Sequence, residues 1–281
     1  MSRRAYRFAC LTLLATGGCS LFVTLDELAG GGGRSDAGAA ESAAAASDAG
    51  ALGRDDAQGT KSDAGADVIA PPAPFCSAFD AGTFCSDFDN AFPAPWDTLQ
   101  QVNGATLARG DAAALSAPFS LVADTRTGTH AALYKDFSGA RSTALVNFDM
   151  RIESRTAAAG RFAVFTIRFD PDSPRLLVQT TATSTVITQE TDLADGGLDS
   201  VSTTGGGVVP IDTWVHVTFA VDLSKRTASL SIDGTKRAAL GPSETKQLGA
   251  NFVAGVPRMR LGAYYTSDAE ARFDNFTLTF P

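Results

Sequence analysis

Trp214-Val215-His216-Val217-Thr218-Phe219-Ala220-Val221-Asp222, followed closely by Ala228-Ser229-Leu230-Ser231-Ile232-Asp233-Gly234, is the stretch that decides the fold class. In an extended chain Val215, Val217, Phe219 and Val221 fall on one side. Trp214, His216, Thr218, Ala220 and Asp222 fall on the other, the period of two that a half-buried strand requires. Ala228, Leu230 and Ile232 alternate with Ser229, Ser231 and Asp233 in the same way. Asp233-Gly234 then leads into the short run Thr235 to Ala239, and Asp-Gly tolerates the positive φ angles of a two-residue hairpin turn.

The same pattern extends outward. Val146, Phe148, Met150 and Ile152 alternate with Asn147, Asp149, Arg151 and Glu153, and Ala163, Phe165, Ile167 and Phe169 repeat the spacing. Breaks at Pro171 to Pro174, Gly196-Gly197, Gly205 to Gly207 and Gly255 to Pro257 separate the runs. No amphipathic helical period intervenes from Phe75 onward. About twelve short strands, each apolar on one side, predict an all-β fold: two antiparallel sheets packed as a sandwich, each wet on its outer face.

The first quarter of the chain reads differently. Arg3, Arg4 and Arg7 precede an apolar stretch from Phe8 to Ala15, too short to cross a bilayer, and Ala15-Thr16-Gly17-Gly18-Cys19 follows. Residues 1–18 are expected to be a signal peptide. The small residues before Cys19 resemble a bacterial lipobox, although Thr16 stands where Leu is usual. Cysteine parity agrees. Cys10 leaves with the signal peptide, Cys76 and Cys85 can pair, and Cys19 would otherwise be an odd thiol in an oxidising compartment. A lipid on Cys19 would anchor an exported protein in a membrane, at the outer membrane or cell surface. Residues 19–74 are rich in Ala, Gly, Ser and Asp, with Ser-Asp-Ala-Gly at 35–38, 47–50 and 62–65. So little apolar surface predicts a disordered tether, which ends at Ala70-Pro71-Pro72-Ala73-Pro74 and leaves one folded domain over 75–281.

Composition narrows the function. The net charge of −8 and the absence of a Lys/Arg run exclude a nucleic-acid-binding stripe. Two histidines and 4 cysteines exclude a His-rich or Cys-rich metal centre.

The 214–234 hairpin resembles the Trp-x-His and Asp-Gly hairpin of laminin-G-like domains. Phe84-Cys85-Ser86-Asp87-Phe88-Asp89 resembles the opening strand, and Phe273-Asp274-Asn275-Phe276-Thr277-Leu278 the closing strand, of the same wide group. That group is the concanavalin A-like lectin/glucanase superfamily. The resemblance spans about residues 83–280 and implies a jelly roll of two curved sheets. Because lectins, glucanases, polysaccharide lyases and interaction modules share this scaffold, it implies no single activity. The expectation is a surface-displayed module binding a glycan or protein ligand. The alternatives are a lyase or hydrolase of the same fold and a structural envelope protein without a small ligand.

The chemistry can be tested residue by residue. Glucanases of the superfamily carry an E-x-D-x-x-E strand pairing an acid with a nucleophile. Here Glu153, Glu190, Glu244 and Glu270 are scattered, and no catalytic residue is assigned. Alginate-lyase-type enzymes hold the uronate with an R-x-E-x-R strand and use a tyrosine near the C-terminus. Arg151-Ile152-Glu153-Ser154-Arg155 and Leu261-Gly262-Ala263-Tyr264-Tyr265 resemble these two elements, whereas the accompanying Gln-x-His is missing. Arg151, Glu153, Arg155, His216 and Tyr264 are therefore the ligand-binding candidates, and their convergence in one groove would argue for an enzyme. His216 also has a plain reading as a hydrogen-bonded strand residue. Trp96, Tyr134, Tyr264 and Tyr265 are flat enough to stack on sugars, although such rings more often fill cores. Asp274 shares parity with Phe276 and Leu278, an inward row in which a carboxylate needs partners. Related glucanases hold a structural calcium where first and last strands meet, and Asp87 or Asp89 with Asp274 would supply hard oxygens for one.

Overall fold

The computed structural model describes residues 73–156, 160–169, 174–203, 205–265 and 268–281. The signal peptide, Cys19 and the tether up to residue 72 lie outside them. Fifteen strands form two antiparallel sheets. The first sheet runs β13 (Thr235–Leu240), β12 (Thr227–Ile232), β11 (Trp214–Asp222), β6 (Thr143–Arg155), β15 (Ala269–Thr279), β4 (Ser120–Asp124) and β3 (Thr106–Gly110), and short β1 (Phe84–Ser86) also pairs with β15. The second runs β10 (Leu198–Ser202), β9 (Thr185–Asp192), β8 (Arg175–Thr180), β7 (Phe162–Arg168), β14 (Arg258–Tyr264), β5 (His130–Asp136) and β2 (Thr98–Val102). No helix among the described residues is long and apolar enough to cross a membrane.

The alternation read from sequence builds the inner layer. Val217, Phe219 and Ile232 are buried together with Phe148, Met150, Phe165, Phe273 and Phe276 in one apolar cluster. The hairpin forms as its sequence demands: Ile232 pairs with Thr235, and Asp233 and Gly234 both take positive φ. Asp233 also ties the turn back to β11, its carboxylate accepting the His216 N–H at 2.8 Å. Cys76 and Cys85 are joined as a disulfide across 5.6 Å between Cα atoms.

Two features depart from strict alternation. The register of β15 against β6 slips between Asp274 and Thr277, and Asn275 is left-handed at φ 51°. One extra residue in a bulge reverses side-chain parity. Asp274 therefore lies opposite Asp149 on the outer side, while Phe273 and Phe276 both reach the core. The inward row assigned to Asp274 is corrected accordingly. The outer face of the second sheet is also not wholly wet. Ala132, Ala163, Leu177 and Tyr264 are buried there in a second small apolar cluster beside Tyr134.

Candidate functional site

Four of the five ligand-binding candidates sit on the first sheet and are occupied with one another and their neighbours. Glu153 accepts from Arg272 Nε at 2.6 Å and lies 3.3 Å from Arg151 Nε. Arg151 also reaches Asp212 at 3.2 Å. Arg155 donates to Thr180 Oγ1 and to the Val209 carbonyl, tying strand ends together. His216 Nδ1 lies 2.8 Å from Asp149 Oδ1, and Asp149 Oδ2 accepts from Asn275 Nδ2 at 2.9 Å. The fifth candidate, Tyr264, belongs to the second sheet. The R-x-E-x-R strand and the tyrosine strand thus lie in different sheets and do not share a groove.

The outer face of the second sheet assembles a different constellation, and strand register dictates it. One row crosses the sheet as Asp136, Arg258, Arg168, Arg175, Glu190 and Ser200. The next outward-facing row reads Thr98, Tyr134, Arg260, Thr166, Leu177, Thr188 and Ser202. Beyond it lie His130, Tyr264, Ala163 and Gln179. Rows two residues apart stand roughly 7 Å from each other. Opposite Ala132, in the row before His130, the floor is bare at Gly262, where a Cβ would meet the Ala131 carbonyl oxygen at 2.1 Å.

Charge is concentrated at one end of this face. Arg258 pairs with Asp136, and Arg175 with Glu190 at 2.7 Å. Burial lowers the Arg168 pKa, and the charges of Arg258, Arg260 and Arg175 lower it further. The Arg260 guanidinium lies 4.7 Å from the centre of the Tyr134 ring, and no carboxylate among the described residues pairs with it. A recess of about 320 Å³ opens beside these groups, lined by Gln100, Tyr134, Asp136 and Arg258 among others.

The other end carries the proton chemistry. His130 Nε2 is 3.0 Å from the Tyr134 hydroxyl, which also bonds to Gln100 Oε1. Desolvation, with the Arg260 charge second, pushes the His130 pKa down to about 4. The imidazole is therefore neutral at pH 7 and able to accept a proton. Burial raises the Tyr134 phenol. Tyr264 is entirely buried, its hydroxyl bonded to Thr166, and its phenol is driven well above the ordinary range by desolvation. Its ring lies 5.2 Å from His130, and the half-exposed Tyr265 stands next to it.

The three calcium candidates separate. Asp87 lines a recess beside the disulfide, whereas Asp89, Ser116 and Asn275 line another. Asp274 Oδ2 accepts the Leu115 and Ser116 N–H groups, and Oδ1 accepts from the Ser116 hydroxyl and the Asn275 N–H. Burial nevertheless pushes its carboxyl up to about 6. Asn275 Oδ1 is buried without a partner. No three His, Cys, Asp or Glu side chains gather as a metal cluster among the described residues. A set of three carboxylates does not fit: Asp274 is saturated by its four donors, and the hard oxygens left to the recess beside Ser116 are those of Asp89 and the Asn275 amide.

Sequence reading singled out Tyr264 and Tyr134 but missed His130, Arg168, Arg175 and Arg260. A signal existed in Arg258-Met259-Arg260-Leu261 and His130-Ala131-Ala132-Leu133-Tyr134, where polar and apolar residues alternate. What alternation cannot give is which strands become neighbours.

No family model and no curated protein sequence matches the chain. Solved structures do match in fold. An endo-β-1,4-glucuronan lyase from the fungus Trichoderma reesei aligns with a TM-score of 0.53 at 12% identity, covering 72% of this chain and 95% of that one. The cellulose-induced protein Cip1 aligns at 0.52 and 13% identity, covering 70% and 97%. The architecture is the concanavalin A-like jelly roll.

Proposed function

We propose that the outer face of the second sheet binds an acidic polysaccharide, displayed at the cell envelope by the lipid anchor expected at Cys19. The observation that carries this reading is Arg260, a guanidinium laid against the Tyr134 ring with no carboxylate to neutralise it among the described residues. A uronate sugar offers a carboxylate for the guanidinium and an apolar ring face for tyrosine. The lyase activity of the first neighbour in fold agrees with this reading without carrying it, because fold does not fix function.

Neutral His130 beside Tyr134 favours a second reading, in which the bound uronan is cleaved by β-elimination. Arg260 and Arg168 would neutralise the carboxylate, acidifying the proton on C5. His130 would remove that proton. The C4–O4 bond would break as the C4–C5 double bond forms, and a protonated tyrosine would return a proton to the departing oxygen.

Both readings are tested by offering the purified protein polyglucuronate, alginate and neutral cellulose. Binding is followed by affinity electrophoresis, and elimination by the ultraviolet absorbance of the unsaturated uronate. Polyuronate binding is expected, weakened about tenfold or more in Arg260→Gln. Equal retention by cellulose sinks the acidic-glycan reading. Flat absorbance with intact binding leaves a binding module; rising absorbance that His130→Asn abolishes establishes elimination.

The calcium expectation is carried forward to the recess of Asp89 and Asn275. A higher melting temperature in calcium than in EDTA, with the difference lost in Asp89→Asn, is the expected outcome.

A further inference from the structure

A second recess, of about 480 Å³, lies outside the groove, beside the Cys76–Cys85 disulfide. Asp87 lines it and is only 5% exposed. Its one hydrogen bond is a long 3.3 Å contact from the Asp89 N–H to Oδ1. No Lys, Arg or His among the described residues forms an ion pair with it. Arg109 donates to the Asp89 carbonyl and lies over Phe119. Asp89 adds a second negative charge close by. A carboxylate shielded from bulk water with one weak donor is costly unless a positive group or several more donors complete it.

The rest of the lining says what kind of cation would fit. The disulfide, Phe88, Ala91, Ala94 and Pro95 are apolar. Ser86 Oγ is engaged by the Trp96 indole at 3.2 Å, which leaves Asn90 as the other polar side chain. A divalent metal wants six or more oxygens, and this wall does not supply them. A sugar ring would leave most hydroxyls unpaired against it. We infer that this recess is a binding pocket for an alkylammonium group, such as the end of a lysine-like side chain, with Asp87 as its counter-ion and the apolar wall packing against the methylenes.

The test is titration of the oxidised full protein with Nα-acetyl-lysine methylamide, read from the backbone amide NMR signals of Asp87 to Asn90. The Nε-acetylated compound and glucosamine serve as comparisons. The expected result is saturable shifts with the lysine probe and none with its neutral counterpart. Asp87→Asn should weaken binding about tenfold or more. Ala91→Phe, at the exposed rim, should block entry while leaving the other amide signals in place. Absence of shifts with the lysine probe, equal binding by Asp87→Asn, or a preference for glucosamine would each overturn the inference. Polyuronate binding in the groove is read separately and is expected to be unchanged in both variants.

Discussion

Asp274 accepts from three donors of Leu115 and Ser116, in the loop that folds over β15, and from the Asn275 N–H of β15 itself. Asparagine there would point an N–H₂ group at hydrogens already aimed inward. The expected cost of Asp274→Asn is about 2–4 kcal/mol, measured by urea unfolding. His130 makes a prediction through pH. Its folded pKa of about 4 lies below the ordinary imidazole value of 6.5, so the unfolded chain takes up the proton first. The stabilisation is complete above pH 6.5 and is lost as pH falls toward 4. His130→Asn should therefore flatten the decline of melting temperature across that window relative to the unsubstituted protein. An NMR titration of His130 in the folded state should show a neutral ring at pH 5.5. A folded pKa near 6.5 would mean that burial does not hold the ring neutral in that window.

At the scale of strands, β14 depends on Gly262. Its φ of 151°, and the 2.1 Å approach of a Cβ to the Ala131 carbonyl, coincide with the register slip between Leu261 and Tyr264. Gly262→Ala should cost on the order of 2–4 kcal/mol, because β5 must move away to make room. The same variant should disturb His130 and Tyr264, which are paired across those two strands. The β11–β12 hairpin was legible because its instructions are local: alternation plus Asp-Gly. The β15 bulge was not legible, because parity was counted from Phe276 and Leu278, and although the three-residue spacing of Phe273 and Phe276 breaks the alternation, no glycine or proline marks the slip. A one-residue offset there moved Asp274 from an expected core row to the outer face.

For the molecule as a whole, the sandwich and its core followed from the sequence because most inner rows are apolar at period two. The candidate site did not follow, because it depends on long-range strand order. Arg151 and Arg155 look like ligand holders in isolation, yet β6 lies between β11 and β15 in the first sheet. The arginines that share a face with Tyr264 come from β7, β8 and β14. The disulfide fastens the start of the domain to β1, which pairs with β15. Replacing both Cys76 and Cys85 with serine opens a ten-residue loop and should lower stability by about 2.7 kcal/mol in the chain-entropy model. A loss near zero in urea unfolding would mean that this segment is already constrained in the denatured chain.

β15 was described above as the neighbour of β6, β4 and β1 together. Three strands formed early in synthesis thus wait for one made late. Until residues 269–279 leave the ribosome, the first sheet has a gap through its middle, and Phe148 lacks Phe273 and Phe276 beside it. Acquisition of the native state is therefore gated by translation of the final strand. A nascent chain stalled before residue 269 should remain open to protease along its whole length.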